Sequence, residues 1–442
     1  MSEQDGIHPR SCCVPWALKY IQGILAENNI PVALCDLRVE GCSQARLFSL
    51  IRDFCPSHIV IQSNSLEYPA CEDILGNIKS FSRAELILIG QYPTYCEKTP
   101  DFTVSFKGEP ELAVPEYIIT GNKGLVSQNK LNIVSELSGL PFPRYKKEEL
   151  CRYYYPYPVK IKKKVIWGSL LATRGCPYDC IFCTQILRES YGKKVRFRHA
   201  GSVVEEVKYL KSLGADIISF EDDSFTLSSQ YTESICDCLA GEKISLPWIC
   251  QARVDELNFA TLRKMKEAGC ALIRFGVESG SARVLESLKK TENGQDWIRR
   301  AEEVFLWCQK LGIATDAMFI IGCPGETEEE IRMSMRLAKE LHPDMLQVCI
   351  FTPYPGSAVY EEYKKDPAHL KGMSPYHYGN KFINLSKVSD NRLIALRKEF
   401  YRNVVFRPSF LLKHAFNYGC FYLLNFRKMS RVLDLRNFLN LN

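Results

Sequence analysis

Three cysteines stand close together at positions 176, 180 and 183, in the segment TRGCPYDCIFC, with the spacing C-x3-C-x2-C. Thiolates are soft, negatively charged donors of the kind that hold iron–sulfur clusters. On one compact loop all three can reach a single cuboidal [4Fe–4S] cluster. Three ligands for four irons leave one iron open. An open iron can chelate a small molecule, whereas a fully ligated cluster would only carry electrons. Gly175 allows a sharp turn into the loop, and Pro177 stiffens it. The alternative is a structural zinc site. Zinc prefers four ligands, usually as two separated pairs, and the closest downstream histidine is His199.

The chain has nineteen cysteines. The N-terminal sequence MSEQDGIHPRSCC has no basic start followed by an apolar run, so no secretion signal is expected and the thiols do not read as a disulfide framework. Most stand alone in apolar surroundings, such as Cys250 and Cys349, and read as buried small hydrophobes. Such thiol use suits a reducing cytoplasm.

A metal loop needs rigid elements to carry it, and the flanking sequence supplies them. From about residue 165 strands and helices alternate. The strands read VIWGSLLATRG, DIISFEDD, PWICQARV, LIRFGVES, ATDAMFIIG and MLQVCIFTPYP, with five amphipathic helices between them. Six strands are too few for a closed eight-fold barrel, so the expected form is an open, partial (β/α)6 barrel with active residues at the C-terminal strand ends. Residues 14–112 show a second alternation, with strands IPVALCDL, SHIVIQSN, AELILIGQYP and TVSFKGEPEL. That pattern predicts a small doubly wound, Rossmann-like α/β domain. The expected organisation is 1–112 for that domain, 113–164 for a Pro-, Tyr- and Lys-rich linker, 165–360 for the barrel and 361–442 for a helical, aromatic-rich region.

The loop with its barrel resembles the radical S-adenosylmethionine superfamily, through Cys176-x3-Cys180-x-Phe182-Cys183. The resemblance implies that the open iron chelates the amino and carboxylate groups of S-adenosylmethionine (SAM). Reduction then cleaves its C5′–S bond to a 5′-deoxyadenosyl radical. It implies that Phe182 lies against the adenine. In FEDDSFT, Glu221, Asp222 and Asp223 would meet the SAM ammonium, and in CQARVDEL, Arg253 would pair with its carboxylate. In FGVESGS, Glu278 and Ser279 would contact the ribose or methionine part. In FIIGCPGET, Pro324 and Gly325 would turn toward the adenine. Each has a plainer alternative: Asp222 or Asp223 caps the following helix, Arg253 sits in a structural ion pair, and Pro324-Gly325 is an ordinary turn.

The N-terminal segment resembles the cobalamin-binding domain that precedes the barrel in one class of this superfamily. Many members of that class transfer a methyl group to an unactivated carbon, with cobalamin as the relay. Two features depart from its pattern. Only thirteen residues precede Val14, and none reads as the expected first strand. No D-x-H-x-x-G occurs, so no histidine ligand to cobalamin is assigned. The expected activity is thus radical C–H chemistry with cobalamin-assisted methyl transfer. Cobalamin-independent radical chemistry and a non-enzymatic iron–sulfur sensor or electron carrier are the alternatives. The implied partners are a small-molecule or natural-product substrate and an electron donor such as a flavodoxin or ferredoxin.

The formal net charge is +6, and the stretch from Arg402 onward carries the excess. A solvated amphipathic helix or weak contact with a membrane surface would use it; no RNA-binding module is visible, so nucleic acid is not an expected partner. No stretch of roughly 18 uncharged apolar residues predicts a transmembrane helix.

Overall fold

The computed structural model describes residues 13–37, 43–63, 68–95, 99–126, 131–155, 157–161, 163–183, 194–353, 356–363 and 383–425. Residues 1–155, 174–177 and 184–198 form one compact unit, and 156–173, 178–183 and 199–442 form the other.

The first unit is built on a parallel sheet of β1 (His58–Gln62), β2 (Glu85–Ile89) and β3 (Thr103–Ser105), in that order. The central run ELILI is apolar on both faces, as parallel sheets covered on both sides require. Ile87 and Ile89 join one core with Ile21 and Leu25 of α1 (Trp16–Glu27). Leu86 and Leu88 join the opposite core with Ile51 of α2 (Gln44–Phe54) and Leu75 and Ile78 of α3 (Tyr68–Phe81). That is the doubly wound layering expected.

Two expectations are corrected here. The segment IPVALCDL is not a strand: residues 31–36 have no regular structure. In a flavodoxin-like order of 2-1-3-4-5, the second strand pairs only with the first. No strand among the described residues pairs with the free edge of β1, so IPVALCDL has no ladder to join, and Ile30 and Val32 pack against the α1 core instead. The linker is also shorter than 113–164, because residues 113–155 pack within the first unit. Ala113, Val114 and Tyr117 of α4 (Ala113–Thr120) enter the α1 core.

The second unit contains the six expected strands. They are β4 (Trp167–Leu170), β5 (Ile217–Phe220), β6 (Trp248–Ala252), β7 (Cys270–Glu278), β8 (Ala314–Ile321) and β9 (Met345–Ile350). All pair in parallel, each with its sequence neighbour, which makes an open partial barrel. The helices that follow β5, β6 and β7 start on side-chain caps: Ser228 before α5 (Ser229–Gly241), Asn258 before α6 (Phe259–Glu267) and Ser281 before α7 (Ala282–Ser287). Asn293 caps α8 (Gly294–Leu311), and Thr327 with Glu330 forms a capping box on α9 (Glu328–Glu340). The β7–β8 connection thus holds two helices, one more than its periodicity predicts. The C-terminal region is helical as expected. Leu393, Leu396, Phe400 and Val404 of α10 (Asp390–Val405) are buried, with Phe400 5.3 Å from Phe319 on β8. It continues as α11 (Pro408–Leu424). Four of the tail's basic residues, Arg427, Lys428, Arg431 and Arg436, lie outside the described residues.

Candidate active site around the cysteine loop

Within the second unit, residues 172–173 and 178–183 on either side of Cys176 are fastened by neighbouring strand ends. The buried Asp222, just after β5, accepts the Ala172 N–H at 3.1 Å and the Thr173 hydroxyl at 2.6 Å, and it also accepts the Thr173 N–H. Burial pushes its carboxyl up to about 6, against the pull of those bonds. Asp222 thus holds the chain three residues before Cys176, and it caps no helix. Asp223 makes no hydrogen bond or ion pair among the described residues. Burial, and then the charge of Asp222, push its carboxyl up to about 7. Glu221 accepts from the Ser219 hydroxyl.

Tyr178, inside the loop, was not singled out from the sequence. Its hydroxyl donates to Glu256 at 2.9 Å, and Glu256 also accepts from Ser224 at 2.5 Å and Thr226 at 2.7 Å. The Arg253 guanidinium lies 3.5 Å from the centre of the Tyr178 ring and 4.8 Å from that of Trp297. It is already bidentate to Asp255 at 2.9 and 2.8 Å, donates to the Lys290 carbonyl at 2.9 Å, and reaches to 4.0 Å from Cys180 Sγ. The ion-pair alternative for Arg253 is therefore what the geometry holds, beside Cys180. Phe182 packs with Ile181 and Ile320 against buried Val284, Leu288, Cys323 and Phe351, so the loop has an apolar underside.

Glu278 ends β7 with φ of +66°, a left-handed conformation that is costly for a residue with a side chain and is found at sites where geometry matters. Its carboxylate takes the Lys290 ammonium at 2.9 Å. A Cβ on Gly276 would fall 2.3 Å from that carboxylate, so only glycine leaves it room. Lys290 also lies 5.2 Å from the Trp297 ring and 6.0 Å from Phe182. Ser279 is engaged elsewhere: it is fully buried, 3.2 Å from the Ser334 hydroxyl, and accepts the Ser281 N–H at 3.1 Å. Pro324 and Gly325 form a turn, with φ of +68° at Gly325. Glu326 braces it by accepting from Gly322 at 2.6 Å and Cys323 at 3.0 Å, and burial pushes the Glu326 carboxyl up to about 7.

The sheet has a second polar feature. Phe275 and Phe319 face the covering helices, so Arg274, one residue from Phe275, and Asp316, three residues from Phe319 and paired in register with Arg274, face the other way. The Arg274 guanidinium donates to Asp316 at 3.3 Å and stacks 4.3 Å from the Tyr157 ring, and Gln347 donates to the same Asp316 oxygen at 2.8 Å. Asp316 Oδ1 is buried without a hydrogen-bond partner. Burial raises the Asp316 carboxyl, and Arg274 opposes the rise. A charge in the middle of an otherwise apolar parallel strand was the sequence signal for this group.

Cys176, Cys180 and Cys183 are half-buried, and Cys176 lies on the 174–177 segment that packs with the first unit. Cys236, Cys250, Cys308 and Cys323 are buried and their thiols are pushed up, which keeps them protonated and poor ligands. Cys349, expected to be buried, is half-buried. Among the described residues, no three Cys, His, Asp or Glu side chains converge to single-ion distance. The three accessible thiols on one loop, with a cation beside one of them, suit the larger, negatively charged thiolate cluster.

Residues 170–338 match the sequence model of the radical SAM superfamily. The chain is 25% identical over 436 residues to an uncharacterized methyltransferase of Pyrococcus horikoshii, covering 92% of this chain and 91% of that protein. It is 30% identical over 299 residues to cytidylyl-2-hydroxyethylphosphonate methyltransferase of Streptomyces wedmorensis, covering 63% of this chain but 53% of that protein. Among solved structures it resembles the radical SAM methyltransferase TsrM of Kitasatospora setae, determined with cobalamin and a [4Fe–4S] cluster. The TM-score is 0.67 at 17% identity, over 83% of this chain and 74% of that one. It also resembles the cobalamin-dependent radical enzyme OxsB, with a TM-score of 0.56 at 16% identity over 87% and 58%. These two likenesses establish a shared fold.

Proposed function

We propose that this chain is a radical SAM methyltransferase acting on an unactivated carbon of a small polar substrate; its residues 170–338 match that superfamily's sequence model. One observation carries the reading: a three-cysteine loop at the end of a barrel strand, in a chain that aligns over 92% of its length with a relative named a methyltransferase. When bound at Cys176, Cys180 and Cys183, a [4Fe–4S] cluster would chelate SAM and supply the electron that breaks its C5′–S bond.

The protein's own residues have separable tasks. Arg253 and Tyr178 orient the loop and offset charge beside Cys180. Phe182 offers an apolar surface to the adenine. Asp223, the one carboxylate of the Glu221–Asp223 trio with no protein partner among the described residues, receives the SAM ammonium. Glu278 with Lys290 marks the β7 end for the ribose or methionine part. The Arg274–Asp316–Gln347 group receives the substrate, whose hydrogen-bond donor meets Asp316 Oδ1. A flavodoxin or ferredoxin in the cytoplasm fits as the electron source.

Cobalamin fits as methyl carrier at the C-terminal edge of β1–β3, the usual ligand position of a parallel sheet. There the strand ends meet closely: a Cβ on Gly90 would lie 2.7 Å from the Ser63 carbonyl oxygen. That compact edge suits a flat macrocycle held without a histidine beneath it. The absence of a strand at IPVALCDL favours a second reading, radical chemistry without cobalamin.

Anaerobic reconstitution with iron and sulfide, then incubation with methyl-labelled SAM and reductant, tests the proposal. S-adenosylhomocysteine should form beside 5′-deoxyadenosine, and the protein should retain corrinoid after growth with cobalamin. 5′-Deoxyadenosine alone, on a corrinoid-free protein, would select the second reading. A cluster whose electron spin resonance ignores SAM would select an iron–sulfur sensor or carrier.

A further inference from the structure

Two arginines that flank the three cysteines in sequence are tied to one carboxylate within the first unit. Arg174 lies two residues before Cys176, and Arg196 lies beyond Cys183. Arg174 donates to Glu109 at 3.1 Å and to Glu111 at 2.9 Å. Arg196 donates to Glu109 at 2.7 and 2.9 Å and also to the Val134 carbonyl. Arg174, Glu109 and Glu111 are each no more than 3% exposed.

The carboxylates are themselves rigidly placed. They come from the KGEPE motif, whose Gly108 has φ of +79° and would put a Cβ 2.4 Å from the Asn132 carbonyl oxygen. Glu109 N–H donates to that same oxygen at 2.9 Å, Asn132 N–H returns to Lys107 at 3.0 Å, and Gly108 N–H donates to Thr94 at 3.1 Å. Two arginines and two glutamates balance in charge. Burying such a group costs desolvation that an apolar cluster would not, so its retention calls for a reason beyond stability.

We propose that Glu109 and Glu111 form a clamp that holds the backbone at Arg174, two residues before Cys176, and so preorganises that ligand for cluster binding. A ligand on mobile backbone loses conformational entropy when a cluster assembles; one held beforehand has lost it already. Glu109, Glu111, Arg174 and Arg196 are positioning residues. This gives the first unit a role whether or not cobalamin binds it. The inference rests on the cluster assignment above.

The test compares wild type with Glu109→Gln, Glu111→Gln and Arg196→Gln in the full chain. Each is reconstituted identically without air and analysed for iron and sulfide per chain. Cluster loss to an iron chelator and the low-temperature spin resonance of the reduced cluster are then followed. Glu109→Gln should speed cluster loss roughly 10-fold or more, the range typical for residues that orient metal ligands, and should broaden the resonance. Glu111→Gln, which leaves both arginines on Glu109, and Arg196→Gln, which leaves Arg174 on both glutamates, should fall between, and Glu109→Asp should restore part of the retention. If Glu109→Gln does not fold, Arg196→Gln alone decides, because its side chain is at the rim and 10% exposed. Iron loss and spectra equal to wild type in the folded variants would overturn the clamp. A wild type that assembles no four-iron cluster would instead overturn the assignment on which it rests.

Discussion

Removing the Asp222 carboxylate strands three donors at once: the N–H groups of Ala172 and Thr173 and the Thr173 hydroxyl. Each buried donor left unpaired costs about 1–3 kcal/mol. Asp222→Ala should therefore lower the thermal unfolding midpoint clearly, whereas Asp222→Asn, which keeps an acceptor, should lower it less. Asp223 differs because its carboxyl, near 4 in an unfolded chain, is pushed up to about 7. Between those values the folded protein holds a proton that the unfolded chain has released. The Asp223 contribution to stability is therefore present below pH 4 and lost as pH rises to about 7. Urea midpoints taken across that window should fall less steeply with pH in Asp223→Asn than in wild type. Equal slopes would show that burial does not raise the Asp223 carboxyl. The cysteines were legible because their spacing is itself the chemistry. Tyr178, Glu256 and Lys290 were not, because their tasks depend on distant partners that only folding brings near, such as Glu256, 78 residues from Tyr178. Asp222 was legible as a strand-end residue, but its partners were not.

At the scale of elements, all six barrel strands were readable from apolar runs separated by capped helices. The extra helix α7 was not, since its six residues are too few to show a period. IPVALCDL shows the opposite failure: its composition is that of a strand, but strand formation needs a neighbour, and local sequence does not report whether one exists. Helix packing yields a separate prediction. A Cβ on Gly294, at the start of α8, would lie 2.4 Å from both Cα and the carbonyl oxygen of Ala282 on α7. Backbone cannot step aside cheaply there. Gly294→Ala should destabilise by about 1–3 kcal/mol, the usual range for overpacking, although alanine is the better helix former. An unchanged denaturation midpoint would show that α7 can move.

For the whole molecule, the described part of the first unit keeps both covering layers of a doubly wound domain while lacking a strand on the free edge of β1. Its KGEPE motif reads from sequence as the end of a strand series and as part of the resemblance to a cobalamin-binding domain; the buried arginines that it holds give it a structural purpose. No described helix is long and apolar enough to cross a membrane. The central claim is that Cys176, Cys180 and Cys183 hold a cluster that reductively cleaves SAM. Its most direct test is 5′-deoxyadenosine formation by the anaerobically reconstituted protein with SAM and a one-electron reductant. The cluster assignment predicts 5′-deoxyadenosine from wild type and none from Cys180→Ala. Equal yield from Cys180→Ala, or none from a wild type carrying an intact four-iron cluster, would contradict it.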